Sequence, residues 1–309
     1  DYIKKFMMIK TAFKDYYKLS KTGIVVFALL TASFAYVLAL PHLSYFSVED
    51  LTLFCLAFYF VCSGSFILNQ AQEWLWDKKM NRTKNRPIPR GKISSGQASI
   101  LAVLFLCFGL SLLFLINTVT AGLAFLTVVL YNFFYTLWWK RHLRYGAVLG
   151  AIPGAMPPLI GYSVASNDIF QLPAVYLFLL LFFWQMPHFW SLAIHYSKDY
   201  KKAGFPILPV VAGTEKTLYQ MGFYILAYLG LSLMSPLFLT TGFMYLFVLI
   251  PFAFILLYQF YQYFYKPYHR WLKFFLWVNT SILVYFFVPV LDKWVFHSVI
   301  QWQTSIAGF

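Results

Sequence analysis

LTLFCLAFYFVCSGSFILNQAQEWLWDKKMNRTKNRP, residues 51–87, carries in one stretch both the membrane signal and the chemistry of this chain. Residues 51–72 contain no charged side chain and meet the roughly 20 apolar residues needed to cross a bilayer as a helix. Around the inner end of that span Asn69, Glu73 and Asp77 recur every four residues. That spacing stacks three oxygen-bearing side chains on one helical face. Arg82, Lys84 and Arg86 follow within reach of an anion held there. Oxygen donors of this kind suit Mg²⁺, which shares its ligands with substrate phosphates.

Outward from this segment the apolar pattern repeats. Spans are predicted near 22–41, 51–72, 95–116, 119–138, 146–165, 172–196, 215–236, 241–263 and 273–292. The chain of 309 residues is 61% hydrophobic and 11% charged, against about 25% charged in soluble domains. The expected fold is therefore all-α, a polytopic membrane protein of nine transmembrane helices, with 1–309 forming a single transmembrane domain. With the N-terminus on the cytoplasmic side, the Lys of 1–21 and the basic residues of 78–92, 140–144, 198–216 and 266–273 all fall inside. Of the 24 Lys and Arg only Lys293 then falls outside, as the positive-inside rule requires. Residues 1–21 read as a cytoplasmic amphipathic segment with no cleavable signal. The polar connections 73–94 and 197–214 read as cytoplasmic active-site loops on a tight scaffold.

The net charge of +14 does not indicate nucleic acid, because the cations are spread over juxtamembrane loops, where anionic membrane lipid is the partner. Cys55, Cys62 and Cys107 lie inside predicted spans without a CxxC spacing and read as core thiols. Only ten acids occur in the chain. Glu73, Asp77 and Asp199 sit at the inner ends of spans, where an ionised group is costly unless something needs its charge. Carboxylates cannot hold an anion directly, so a divalent cation must bridge them to it, with Arg and Lys neutralising the remainder. A substrate with a polyphosphate head at the interface and an apolar body is a lipid diphosphate. Aromatic residues, 22% of the chain, would serve its allylic cation by their ring faces. His188 stands open between a satisfied core histidine, a proton-handling or substrate-contacting group and an axial haem ligand. His195 lies four residues before Asp199, which puts both on one helical face, where the histidine can serve simply as a partner of the Asp.

The pattern Asn69-x₃-Glu73-x₃-Asp77-x₂-Met80-x-Arg82-Thr83-x₂-Arg86-Pro87-x₃-Gly91 resembles the first signature of the intramembrane aromatic prenyltransferases of the UbiA superfamily. Three further segments are similar to the haem-farnesylating branch of that superfamily. They are Gly154-Ala-Met-Pro157-Pro158-Leu-Ile-Gly161, Trp184-Gln185-Met-Pro187-His188-Phe189-Trp190 and Asp199-Tyr200-x₂-Ala203-Gly204-x-Pro206-x-Leu208-Pro209. The resemblance implies a helical bundle around a central cavity in the cell inner membrane, with its active site on the cytoplasmic side. It implies transfer of a farnesyl group from farnesyl diphosphate to a vinyl group of haem b, giving haem O. Carried over by position, Asn69, Glu73, Asp77 and Asp199 would hold Mg²⁺ and act in catalysis. Arg82, Lys84, Arg86, Lys198 and Lys202 would bind the diphosphate, His188 and His195 the haem, and a downstream haem-modifying enzyme would be a partner. Glu73 departs from the family's usual Asp, and the second motif shows one acid where many relatives have two. The segment 15–23 lacks the usual proline after its lysine. The alternatives are a sister prenyltransferase acting on a quinone precursor or other aromatic, and a haem carrier or transporter. A transporter would place ionisable groups near the midplane between inverted repeats, whereas here the acids gather at one face.

Overall fold

The computed structural model describes residues 13–239, 241 and 243–307, without the side chains of 243, 244 and 294–307. Lys4, Lys5 and Lys10 of the expected amphipathic segment lie outside the described residues. The helices are α1 (Thr22–Ala39), α2 (Val48–Asp77), α3 (Ser95–Ile116), α4 (Thr118–His142), α5 (Gly146–Ala165), α6 (Leu172–His195), α7 (Ser197–Ala203), α8 (Thr214–Leu233), α9 (Phe243–Tyr265) and α10 (Pro267–Ala307). Among the described residues, eight helices are long and apolar enough to cross a membrane. Helical spans are what a bilayer demands, since no water is present to satisfy backbone groups. The seventh expected span coincides with α8, which is not one of the eight; Glu215, Lys216, Thr217 and Gln220 dilute its first half.

The chain resolves into two compact units. The first comprises Asp1–Leu29, Glu49–Pro153 and Tyr196–Val211. Here α2 and α3 approach through glycine: a Cβ on Gly64 would meet Ala102 O at 2.9 Å, and one on Gly109 would meet Ala57 O at 2.7 Å. In a lipid-facing pair, small residues let backbones touch where no hydrophobic force drives association. The start of α3 is fixed by a capping box, Ser94 and Gln97 each bonding the other's backbone N–H, which satisfies two otherwise orphaned donors. Residues Leu130–Trp139 of α4 wind as a π-helix, a rare form concentrated at functional sites.

The second unit comprises Leu30–Val48, Gly154–His195 and Ala212–Phe309. Gly161 lies where a Cβ would fall 1.9 Å from Ala32 O, so α1 and α5 cross in backbone contact. Trp184 Nε1 donates to Val278 O at 2.7 Å and Tyr228 pairs with Ser281 at 2.9 Å, joining α6 and α8 to α10. Lys293 Nζ donates to Leu38 O at 2.9 Å and also to Leu40 O, satisfying carbonyls at the end of α1. The proline-rich span expected over 146–165 is in two pieces, Gly146–Gly154 and Met156–Ala165, separated at Ala155. Of the expected core thiols, Cys107 is exposed and Cys55 and Cys62 are half-buried, so thiols serve the outer helix faces as well as the interior.

Candidate active site

The site grows from a polar ladder between α2 and α4. Ser65 Oγ donates to Asn132 Oδ1 at 2.6 Å, Asn69 Nδ2 to Thr136 Oγ1 at 3.0 Å, and Lys140 Nζ to both oxygens of Glu73 at 2.7 Å. All three rungs join residues 67 apart in sequence. A constant separation means that the two helices run parallel, each stepping by four residues. The π winding of α4 covers Asn132 and Thr136 and delivers Lys140 at its end. Both polar side chains are fully buried, and buried amides and hydroxyls require such partners.

Asn69 also accepts from Lys21 Nζ through Oδ1 at 2.7 Å. Lys21 sits at the start of α1 with a backbone φ of 51°, a left-handed conformation uncommon for any residue but Gly, Asn or Asp. The turn that imposes it is pinned from α2: Gln70 Nε2 donates to Lys18 O at 2.9 Å and Leu19 O at 2.6 Å. Burial pushes the Lys21 ammonium down to about 7, the charge of Arg86 adding to the effect and those of Glu73 and Asp77 opposing it.

Asp77, at the C-terminus of α2, accepts from Arg86 Nη1 at 2.7 Å. Thr83 Oγ1 donates to Asp77 O at 2.9 Å and so folds the 78–86 segment back over the helix end. Asp199, in the first turn of α7, accepts from the backbone N–H of Arg82 at 3.0 Å and from Asn81 Nδ2 at 3.3 Å. A buried cluster of Met80, Ala203 and Phe205 packs the two loops together. Gly204, at φ 80°, terminates α7 in the left-handed region, where glycine pays no Cβ penalty.

The two motifs distant in sequence therefore meet in one unit. Asn69, Glu73, Asp77 and Asp199 are 1%, 3%, 1% and 7% exposed; Glu73 and Asp77 are each in an ion pair, and Asp199 is held by two neutral N–H donors, as buried polar groups require. Of the expected diphosphate ligands, Arg86 is on Asp77. Arg82 meets Asp199 through its backbone, while its guanidinium reaches Tyr200 Oη at 3.3 Å. Lys84 bonds Asn81 Oδ1 at 3.0 Å, and Lys198 and Lys202 are exposed. The sequence reading missed Lys21 and Lys140, counting them only as inward-facing charges. The signal was present in the matched four-residue steps 65/69/73 and 132/136/140.

The histidines belong to the second unit. The His188 ring lies between Trp184 and Phe275, centroids 4.8 and 5.0 Å away, and its Nδ1 is buried without a hydrogen-bond partner among the described residues. His195 stacks on Trp271 at 3.7 Å, nearly parallel. The chain turns at Tyr196 between α6 and α7, so His195 and Asp199 do not share a continuous helix as the sequence spacing had led us to expect.

Eight apolar spans, buried carboxylates at the end of one of them and cations matched to each define a multi-pass membrane protein with an acid-and-base site. The family model of the UbiA prenyltransferases matches residues 28–283, and the chain belongs to that family. Among its relatives, the protoheme IX farnesyltransferase of Bdellovibrio bacteriovorus is 46% identical over 283 residues, covering 91% of this chain and 97% of that one. That of Leptospira biflexa is 39% identical over 239 residues, 77% and 82% of the two chains. Solved structures share the fold. One is described as digeranylgeranylglyceryl phosphate synthase (TM-score 0.73, 20% identity, 91% of this chain and 98% of that one). Another is a UbiA homologue from Archaeoglobus fulgidus bound to GPP and Mg²⁺ (TM-score 0.62, 17% identity, 89% and 99%).

Proposed function

We propose that this chain, as a single transmembrane prenyltransferase domain, transfers the farnesyl group of farnesyl diphosphate to a vinyl group of haem b, yielding haem O and diphosphate. The observation that carries the reading is the pairing of Asn69, Glu73 and Asp77 along one buried face of α2 with Lys21, Lys140 and Arg86, while Asp199 holds the 81–82 turn that follows. Oxygen-only donors fit Mg²⁺, and these four residues would hold it. When bound, the ion neutralises charge on the departing diphosphate. The cations of the chain then bind the phosphate oxygens and hold them in place as the allylic C–O bond breaks. The farnesyl C1 bonds to the terminal vinyl carbon, and water adds to the carbocation left on the porphyrin side, releasing a proton.

His188, whose buried Nδ1 is unmatched in an aromatic slot, suits a contact to the porphyrin or its iron, and the His195–Trp271 stack offers a flat surface of the same kind. Lys84, Lys198 and Lys202 remain on the loops as outer counter-charges. The membrane reading is nine spans, with α8 as the seventh, the N-terminus in the cytoplasm of a cell whose inner membrane holds the protein, and the site on the cytoplasmic side. The distribution of Lys and Arg supports it. Membrane lipid surrounds the chain, and a downstream haem-modifying enzyme receives the product. Incubating the purified protein with haem b, farnesyl diphosphate and Mg²⁺ and weighing the product tests the assignment: a haem bearing one added farnesyl and one added hydroxyl is expected, and unaltered haem b refutes it.

A further inference from the structure

His188 sits in a column of rings between α6 and α10. Trp184 and Phe275 flank it with centroids 4.8 and 5.0 Å away and interplanar angles of 28° and 34°, and Trp271 continues the column beyond Phe275 at 5.6 Å. Trp184 is itself tied to α10 by its Nε1–H on Val278 O. Neighbours on both faces leave an imidazole only its edges, which is where its two nitrogens lie. Nδ1 is buried with no hydrogen-bond partner among the described residues, although His188 as a residue is only half-buried. An orphaned polar atom inside a membrane span is costly and calls for a reason. Asn279 stands within interaction range of the ring, one turn beyond Phe275 on the same face of α10. Its Nδ2 donates to Phe275 O at 2.6 Å, which commits the amide's donor and leaves Oδ1 as an acceptor for an N–H.

We infer that Asn279 is a positioning residue for the haem: its Oδ1 takes the Nδ1–H of His188, fixing the tautomer that leaves the Nε2 lone pair to bind the haem iron. This rests on the haem contact proposed above for His188, and goes beyond it by naming the ligating atom and the group that sets it. A slight turn of the imidazole or the amide completes the bond, because the two side chains are already neighbours. The chemistry is that of metal-bound histidines in general, whose second nitrogen donates to a protein acceptor that orients the ring and makes the ligating nitrogen more basic.

Absorption and resonance Raman spectra of the purified full chain with haem b, without farnesyl diphosphate, read the iron's ligand independently of turnover. An imidazole-bound iron is expected. In Asn279→Leu the ferrous iron–imidazole stretch should drop and haem b should bind about tenfold or more weakly, while metal-free protoporphyrin IX, which offers Nε2 no iron, binds both proteins alike. Asn279→Asp, with a stronger acceptor, should raise the stretch and carries the test if the leucine variant does not fold. A stretch that neither variant moves, or an equal loss of metal-free porphyrin, overturns the inference and leaves the His188 contact standing. His188→Gly should lose the imidazole signature and regain it with added imidazole. A spectrum that His188→Gly leaves unchanged overturns the haem contact itself, and the inference with it.

Discussion

Removing the ammonium of Lys140 should expose the energetic design of the site. The side chains of Lys140 and Glu73 are 16% and 4% exposed and joined by two bonds of 2.7 Å, so Lys140→Met strands a buried carboxylate. Breaking one side of a buried pair costs about 3–5 kcal/mol. Lys21 and Arg86 also act on Glu73, which puts the expectation at the lower end, about 3 kcal/mol. Glu73→Gln alone should be similarly harmful, since it strands the lysine. The double variant removes both charges, so the two losses should fail to add by about 2 kcal/mol, within the range of residues in direct contact. SDS-driven unfolding in mixed micelles, followed by circular dichroism for the four proteins, measures the cycle. Losses that add within about 0.5 kcal/mol would mean that the pair is not coupled and that the ladder reading is wrong.

Asp77→Ala should abolish haem farnesylation with the helical spectrum retained, whereas Arg86→Ala should chiefly raise the apparent KM for farnesyl diphosphate, by about tenfold or more; a variant of either kind with wild-type kinetics sinks the role given to it. Lys21, lowered from 10.5 to about 7, binds fewer protons folded than unfolded between those values, so its contribution makes stability rise with pH across that window. Lys21→Met should flatten the slope, and unfolding curves at about pH 7 and 9 that stay parallel for the two proteins contradict the assignment. Gly161→Ala drives a methyl to 1.9 Å from Ala32 O and should cost about 1–3 kcal/mol. Gly122→Ala, with nothing within 4 Å, should be neutral or gain about 0.5–1 kcal/mol from helix propensity; equal thermal midpoints for the two variants would count against the close crossing of α1 and α5.

The helices were legible because bilayer insertion depends on composition, which sequence states directly. The face bearing Asn69, Glu73 and Asp77 was legible because four-residue spacing is a property of one helix. What lay hidden depends on which helices meet. Lys21 is 48 residues from Asn69 and Lys140 is 67 from Glu73, and nothing local announces either pairing. Lys198 and Lys202, expected at the diphosphate from the family resemblance, are exposed on the short α7 while Asp199 between them is buried, a difference in depth that position in the sequence does not state. The π winding of Leu130–Trp139 breaks the 3.6-residue periodicity on which helical pattern reading relies. The turn at Tyr196 separated His195 from Asp199, because backbone breaks without proline or glycine leave little trace in composition.

The rungs between α2 and α4 bear on how this molecule can move. Because Ser65, Asn69 and Glu73 meet Asn132, Thr136 and Lys140 at one fixed offset, a slip of a single residue would unmake every rung at once. The two helices are splined together, and sliding is closed to them as a working stroke. Whatever opens and closes during turnover, these two helices travel through it as one body.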